Sequence, residues 1–250
     1  MKAILLEFRY RWWFIFSIFF VSFFAYSIDH VNCAEAITNW SGRQFHFEVT
    51  YNTYRLILGL GTCLLCFAAF LRTWGTAYLQ ADVMRDQRVR TERLLADGPY
   101  RHVRNPLYLG NILMAIAIGL MASRLGFVLL SVGMTVFVVR LLLREESELL
   151  HDQGEPYRRY CSAVPRLFPS ITARVPAAGN VPHWTQAFRA EIMYWLLALA
   201  MASFAVTLNI RVFWAVFAVA MFASFLYKRP DTKKNQESRG ATPTSRESNS

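Results

Sequence analysis

Six apolar runs divide this sequence, and they constrain its fold more than any other feature. Each run is 16 to 19 residues long, and they cover residues 12–28, 54–71, 107–122, 125–143, 192–208 and 212–227. An α-helix needs roughly 17–25 apolar residues to cross the hydrocarbon core of a bilayer. Because 54% of the 250 residues are hydrophobic and only 18% are charged, the runs predict an all-α, polytopic membrane helix bundle with about six transmembrane helices.

The positive charges indicate an orientation for this bundle. If the N-terminus is cytoplasmic, 23 of the 27 Lys and Arg residues fall on the cytoplasmic side, and four fall outside or at outer helix ends: Arg43, Arg55, Arg124 and Arg211. The positive-inside rule describes such a bias. We therefore expect an integral, multi-pass membrane protein with both termini in the cytoplasm. The net charge of +10 then reflects topology and contact with anionic membrane lipids, and it does not indicate a nucleic-acid partner. The oligomeric state is left open.

The first apolar run has two interpretations. Basic residues precede it, and Ala34-Glu35-Ala36 resembles a signal-peptide cleavage site. The run is longer than a usual signal-peptide core, however, and Trp12 and Trp13 lie where an interfacial aromatic belt belongs. Retention as a helix is favoured. Residues 1–227 are then expected to form one domain, followed by a basic, polar tail over 228–250 that lacks the apolar residues needed for folding.

Two polar blocks, 97–110 and 144–166, stand out against the apolar runs. A tight apolar hairpin, turning at Ser123-Arg124, separates them, so both blocks must emerge on the same side of the membrane. In the first block Gly98-Pro99 predicts a turn, and Pro106 suits the first turn of the next helix.

The second block begins on a helix that is predicted to run past the membrane, through Arg144-Glu145-Glu146 to Gln153. Gly154 is a plausible helix end, and Pro156 suits the first turn of a short helix that carries Tyr157 and Tyr160 on one face. Residues 173–182 are predicted to be a linker to the last hairpin.

Several side chains in these blocks are candidates for orienting a substrate, although the spacing alone identifies no catalytic residue. The candidates are Arg140, Arg144, Arg104, Arg166, Tyr157 and Tyr160. Each has a plainer interpretation: Arg140 could extend to the interface, the tyrosines could be belt aromatics, and Glu148 could pair with Arg144. Glu146 is equally well explained as a solvated carboxylate or as a cofactor ligand. No His, Cys and carboxylate cluster has metal-ligand spacing, so no metal is expected.

Together the two blocks resemble the superfamily of integral-membrane methyltransferases that contains isoprenylcysteine carboxyl methyltransferases and phospholipid N-methyltransferases. The resemblance covers about residues 94–169, the motif core. It is carried by two series of residues, Gly98-Pro99-Tyr100 with Arg104-Asn105-Pro106-Leu107-Tyr108-Leu109-Gly110, and Glu145-Glu146 with Leu150, Gly154, Tyr157, Tyr160 and Val164-Pro165. The resemblance implies S-adenosylmethionine as the cofactor, held in a pocket at the cytoplasmic face.

Matched position by position, the resemblance assigns cofactor contacts to Arg93, Leu94, Leu95, Tyr100, Asn105, Pro106, Leu107, Tyr108, Glu145 and Glu146. Many relatives have Arg-His-Pro where this chain has Arg104-Asn105-Pro106, and an asparagine cannot titrate. The family's substrate arginine aligns near Leu141, so Arg140 is a neighbouring candidate.

The resemblance implies methyl transfer to a lipophilic acceptor, either a small molecule or a lipidated one, such as an isoprenylcysteine carboxylate or a phospholipid amine. An alternative is an NADPH-dependent membrane reductase of the sterol or enoyl type. A third, non-enzymatic interpretation is a membrane scaffold whose inner loops contact lipids or a partner. Cofactor binding separates the three.

Overall fold

The computed structural model describes residue 7 and residues 9–83 and 97–227 of the chain, and within them all regular structure is helical. In chain order the helices are α1 Arg11–Phe24, α2 Cys33–Phe45, α3 Tyr51–Val83, α4 Pro106–Gly119, α5 Arg124–Gln153, α6 Glu155–Ala163, α7 Trp184–Ala190, α8 Ile192–Thr207 and α9 Ile210–Tyr227. Short 3-10 turns cover Ala25–Ser27 and Gly98–Arg101. The predicted basic tail, 228–250, lies outside the described residues.

Each of the six apolar runs lies mainly within one helix: α1, α3, α4, α5, α8 or α9. The capping signals explain several boundaries. Pro106 begins α4, the Ser123 hydroxyl accepts a hydrogen bond from the Gly126 N–H at the start of α5, and Gly154 ends α5 with a φ of 63°. The predicted continuation of α5 to Gln153 and the short helix after it are therefore confirmed.

Three features differ from the sequence prediction. The loop after α1 contains a helix, α2, which Asn32 caps by accepting a hydrogen bond from the Glu35 N–H at 3.2 Å. The linker is followed by α7, which meets α8 at an angle of 63°. Helix α3 continues to Val83, beyond the apolar run that was expected to end at residue 71.

Helix length supports fewer membrane spans than the six predicted. Within the described part of the chain, Tyr51–Leu79 and Arg124–Gln153 are each long and apolar enough to cross a membrane, and the bent pair α7–α8 would make a third span. The shorter apolar helices are Arg11–Ser27, Pro106–Gly119 and Ile210–Phe225. At 1.5 Å per residue, the 14 residues of α4 extend only about 21 Å. Six spans therefore remain a prediction.

Large apolar side chains are exposed on the flanks of the bundle, as expected for a surface that faces lipid. Examples on five helices are Phe16, Phe20, Phe67, Val132, Val136, Leu199, Val219 and Phe222. The interior is also apolar, and its largest buried side chains include Leu58, Leu65, Leu130, Met134, Leu142 and Met201. An apolar interior inside an apolar surface is typical of a protein that a bilayer solvates.

The bundle has two polar ends. At one end the α4–α5 turn is tied to the start of α2 by hydrogen bonds from the Cys33 and Ala34 N–H groups to the carbonyls of Ala122 and Leu120. There Asp29 accepts hydrogen bonds from Arg124, which lower the Asp29 pKa to about 2. The opposite end contains the C-terminal half of α3, the start of α4, the C-terminal part of α5, and α6. We call this second end the motif end, because both polar blocks lie there.

Candidate functional site

The two polar blocks meet at the carboxylate of Glu146. One carboxylate oxygen, Oε1, lies 3.0 Å from Asn105 Nδ2 and 3.2 Å from Arg104 Nη1. The other, Oε2, lies 2.9 Å from both Nε and Nη2 of Arg166. Glu146 is buried, with 8% of its surface exposed. Its interpretation as a solvated carboxylate is therefore wrong, because three side chains from two other segments surround it.

Hydrogen bonds to the backbone hold the blocks together as well. The Arg104 N–H donates to the Pro165 carbonyl at 2.9 Å, and the Tyr160 hydroxyl donates to the Tyr100 carbonyl at 2.8 Å. The Asn105 side chain also donates to the Arg166 carbonyl at 3.2 Å. Since residues 60 or more apart are joined in this way, the motif end is a built site and not a set of independent loops.

One buried donor in this site has no partner. The Nε–H of Arg104 forms no hydrogen bond, although only 10% of that side chain is exposed. The two arginines and Glu146 together carry one net positive charge. A buried donor without an acceptor is unfavourable, so the Arg104 Nε–H marks a position where an acceptor is missing. The half-exposed Arg166 guanidinium is able to bind an anionic group such as a carboxylate.

Glu145 has different surroundings from Glu146. Its carboxylate interacts with the Tyr108 side chain of α4 and with the charge of Arg11 of α1. Within the described residues no cation lies within ion-pair distance of its carboxylate. Glu145 is half-buried. The Glu145 carboxylate can therefore still accept hydrogen bonds from a ligand, whereas both oxygens of Glu146 already have partners.

Two of the candidate arginines already have ion-pair partners. Arg140 Nη2 lies 2.8 Å from Glu7 Oε2, so the N-terminal segment neutralises this cation. Arg144 Nε lies 2.9 Å from Glu148 Oε1, which is the i, i+4 pair that the sequence allowed. An anionic ligand at either arginine would have to displace these carboxylates, whereas Arg166 is 47% exposed on the free side of its pair.

The tyrosines of α6 are neutral hydrogen-bond donors in these surroundings. Tyr157 and Tyr160 lie on one face, with ring centroids 6.0 Å apart, as predicted. Burial raises the pKa of both hydroxyls above the ordinary value of 10. They therefore stay protonated at neutral pH and can donate hydrogen bonds, but they are poor proton acceptors.

The other predicted cofactor residues are distributed around this cluster. Tyr100 and Pro106 are buried, and Leu107 and Tyr108 are half-buried on the first turn of α4. His102 forms a hydrogen bond of 2.8 Å between its Nδ1 and the Ser170 carbonyl oxygen, so this ring nitrogen is engaged. Three predicted positions, Arg93, Leu94 and Leu95, lie outside the described residues.

A second polar network was missed by the sequence analysis. Arg72 of α3 forms a two-point ion pair with Glu191, with Nε–Oε2 2.7 Å and Nη2–Oε1 3.1 Å. Its Nη1 donates to the Leu107 carbonyl at 3.1 Å and to Asn111 Oδ1 at 2.9 Å, and its guanidinium carbon lies 4.2 Å from the centre of the Tyr194 ring.

This network holds the bent α7–α8 junction against α3 and α4. Glu191 stands between the two helices of the bend, and it also accepts a hydrogen bond from Thr76 at 2.7 Å. The sequence signals for this network were Arg72, at the end of one apolar run, and Glu191, directly before another. Charges in such positions need a partner, but nothing in the sequence pairs residues 119 positions apart.

The loop before α7 covers the turn that starts the first block. The Asp97 carboxylate accepts backbone hydrogen bonds from Ala178 and Asn180 at 2.9 and 2.8 Å. Within the described residues no group of three or more His, Cys, Asp or Glu side chains could hold a metal ion. The arrangement therefore offers hydrogen-bond donors, aromatic rings and one available carboxylate for an organic ligand.

Comparison with known proteins gives one match. Residues 55–153 match the family model described as phospholipid methyltransferase. No curated protein and no solved structure matches the chain. The match confirms the resemblance to the membrane methyltransferase superfamily. It spans α3 to α5 and so includes Arg104, Asn105, Glu145 and Glu146, whereas α6 and Arg166 lie beyond it.

Proposed function

We propose that this chain, whose residues 55–153 carry the phospholipid methyltransferase core, transfers a methyl group from S-adenosylmethionine to the polar end of a lipophilic acceptor at the cytoplasmic membrane face. The observation that carries this proposal is the convergence of both polar blocks on Glu146. Without that convergence, residues 41 or more positions apart could not contact one small molecule. An isoprenylcysteine-like carboxylate and a phospholipid-like amine both remain acceptor candidates.

The residues at the motif end fit the cofactor's chemistry. S-Adenosylmethionine carries a carboxylate, an ammonium, ribose hydroxyls and an adenine, and its sulfonium supplies an activated methyl group. The half-exposed Arg166 guanidinium would bind the carboxylate, with Arg104 adding its positive charge nearby through the shared partner Glu146. Glu145 would accept hydrogen bonds from the ribose hydroxyls or the ammonium.

The remaining cofactor contacts are proposed from the family resemblance. Tyr100, Asn105, Pro106, Leu107 and Tyr108 would surround the cofactor. Arg93, Leu94 and Leu95, outside the described residues, would complete the pocket.

Glu146 would act by positioning its neighbours. Its two oxygens fix Arg104, Asn105 and Arg166 in one cluster, and this cluster costs no reorganisation when a ligand arrives. Asn105 orients by hydrogen bonding and cannot exchange a proton. These contacts support a role for Glu146 as a scaffold of the binding site.

The acceptor's nucleophile must be aligned with the methyl group and shielded from water. A carboxylate needs no base for this reaction, whereas an amine must arrive neutral. Because the Tyr157 hydroxyl stays protonated, it would orient the acceptor by donating a hydrogen bond. The Tyr160 hydroxyl already donates to the Tyr100 carbonyl, so Tyr160 would contribute through its oxygen as an acceptor or through its ring. Arg140 and Arg144 could contribute only by exchanging Glu7 and Glu148 for an anionic acceptor group.

The charge distribution supports an orientation with the motif end in the cytoplasm. One polar end of the bundle carries the four sparse arginines, Arg43, Arg55, Arg124 and Arg211. The arginine-rich motif blocks lie at the opposite end. Helices α1, α3, α4, α5, α8 and α9 all run between these ends. We therefore propose six membrane crossings, one domain over residues 1–227 and cytoplasmic termini.

Direct cofactor binding tests this proposal. Purified protein in detergent should bind labelled S-adenosylmethionine saturably and should not bind NADPH, the cofactor of the alternative reductase.

Glu145→Gln should weaken S-adenosylmethionine binding about tenfold, as expected for the loss of a charge-assisted hydrogen bond. Asp152→Asn, an exposed carboxylate on the same helix, is the matched control and should bind normally. Unchanged affinity of Glu145→Gln would remove Glu145 from the site, and NADPH binding alone would overturn the methyltransferase assignment.

A further inference from the structure

Two adjoining cavities lie at the end of the bundle opposite the motif end. The larger has a volume of about 730 Å³ and is lined by residues of α2 and the start of α3, including Glu35, Asn39 and Tyr54. The second has a volume of about 540 Å³, and Asn52 and Arg55 help to line it. Both cavities also touch Thr50, Tyr51 and Leu208, so they form one continuous depression. We call it the outer depression.

The outer depression carries one anionic and one cationic group that do not neutralise each other. No described residue forms an ion pair or a side-chain hydrogen bond with the Glu35 carboxylate. Arg55 has only a 3.4 Å contact from its Nη1 to Asn52 Oδ1, and within the described part of the chain it has no ion pair. Because unpaired charges of opposite sign line adjoining cavities, the depression is complementary to a ligand that carries both charges.

The surroundings of the depression resemble those of a membrane interface. Trp40 and Phe45 on α2 and Tyr51 at the start of α3 are 56%, 69% and 79% exposed. Exposed tryptophan, phenylalanine and tyrosine next to charged groups are typical of the membrane interface. The depression also lies at the ends of α3 and α8, where the apolar flanks of the bundle stop.

We propose that the outer depression binds the headgroup of a zwitterionic phospholipid. Arg55 would bind the phosphate, and Glu35 would bind the ammonium, with the Tyr51 and Tyr54 rings adding cation–π contacts. Glu35 and Tyr51 precede the segment that matches the methyltransferase family, and Arg55 is its first residue. The depression lies at the other end of the molecule from the motif blocks, so the proposed lipid site is spatially separate from the proposed site of methyl transfer.

Native mass spectrometry of the detergent-purified protein with added lipid tests the proposal. The protein should retain one dioleoyl-phosphatidylethanolamine in preference to dioleoyl-phosphatidylglycerol, which lacks the ammonium. Arg55→Gln and Glu35→Gln should each reduce this retention about tenfold, as expected for the loss of a charge-assisted contact. Arg43→Gln and Glu48→Gln change exposed charges that do not line the depression, and both should retain the lipid.

A competition experiment separates a lipid from a free headgroup. Displacement by soluble glycerophosphoethanolamine would show that the headgroup chemistry suffices, and resistance to it would show that the acyl chains are also required; both results support the site. Equal retention of the two lipids would overturn the proposal. So would retention that survives in Arg55→Gln and Glu35→Gln, or that falls equally in the control variants. Unchanged thermal unfolding midpoints confirm that each variant is folded.

Discussion

Glu145 and Glu146 are neighbours in the chain, but their carboxylates have different partners and therefore different proposed roles. Successive residues on a helix point about 100° apart. As a result Glu146 faces the Arg104–Asn105 loop and Arg166, while Glu145 faces Tyr108 and α1. The resemblance to the family assigns both to the cofactor. On these contacts we propose a divided role, in which Glu145 binds the ligand and Glu146 holds the neighbouring arginines and Asn105 in place.

Replacing Glu146 should affect stability as well as cofactor binding. Glu146→Gln leaves two arginines close together without their counter-ion, and breaking a buried ion pair costs about 3 kcal/mol. Chemical denaturation in detergent would measure the change. Glu155→Gln is a matched control, because Glu155 also lies near two arginines, at 3.7 and 3.8 Å, but is exposed. It should have little effect, and an equal loss in both variants would contradict the buried-cluster account.

The raised pKa of Tyr160 predicts a loss of stability at high pH. The folded protein holds this hydroxyl neutral beyond the ordinary pKa of 10, so the stabilisation is present below pH 10 and is lost as the pH rises above it. Ten other tyrosines and four cysteines titrate in the same range, so the contribution of Tyr160 is measured as the difference between Tyr160→Phe and the parent protein. Unfolding midpoints measured between about pH 8 and pH 11 should fall less in Tyr160→Phe than in the parent protein. Tyr51→Phe, an exposed tyrosine, should behave as the parent does; identical slopes in all three would refute the assignment.

At the scale of elements, two junctions shape the motif end: the 3-10 turn at Gly98–Arg101 and the bend between α7 and α8. Gly98 has a φ of 55°, and a Cβ at this position would collide with the Tyr78 ring. Both the backbone conformation and the close approach therefore require glycine. The bend depends instead on charge, because Arg72 and Glu191 are each other's counter-ions in a buried position.

Gly98→Ala should destabilise the first block. The substitution must move Tyr78 and strain the turn, which costs at least about 1 kcal/mol. Gly59→Ala is the matched control, since a Cβ there meets nothing within 4 Å, and helix propensity should make it neutral or slightly stabilising. Denaturation of the two variants checks this. A Gly98→Ala protein as stable as the parent would show that the turn is less constrained than its geometry indicates.

Glu191→Gln should loosen the α7–α8 bend. It leaves the Arg72 guanidinium without its counter-ion in a largely apolar setting, with a cost of about 3 kcal/mol. Arg72→Gln combined with Glu191→Gln should cost less than the sum of the two single changes, because no unpaired charge remains. Arg158→Gln, which removes an ion pair whose two side chains are 70% and 58% exposed, should change the unfolding free energy little. Additive effects of the two buried substitutions would contradict the pairing.

At the scale of the whole molecule, local sequence signals predicted most helix positions, but the sequence did not predict which distant residues pair. The apolar runs, Pro106, Ser123 and Gly154 mark helix positions that the structure confirms, because helix ends depend on residues a few positions away. The meeting of the two blocks followed from the hairpin between them. The Arg72–Glu191 pair and the Glu7–Arg140 pair join residues 119 and 133 positions apart, and no local rule selects such partners.

The proposed orientation of the molecule can be tested by labelling. Ser170→Cys at the motif end and Arg43→Cys at the opposite end should react with a membrane-impermeant maleimide from opposite sides of sealed vesicles. The motif end should be cytoplasmic, because the arginine-rich segments lie there. Cys63, Cys66 and Cys161 are replaced by Ser and Cys33 by Ala in the background protein, which is the control for unspecific labelling. Labelling of both positions from the same side would exclude the proposed topology.

The central claim is that the motif end transfers methyl groups to a lipophilic acceptor, and its most direct test is transfer itself. Membranes that contain the protein are incubated with S-adenosylmethionine labelled in its methyl group, and the label is followed into the organic extract and the membrane proteins. We predict saturable labelling of a lipid or lipidated acceptor that is greatly reduced in Glu145→Gln and unchanged in Asp152→Asn. Labelling no greater than in membranes without the protein, across both fractions, would contradict the account.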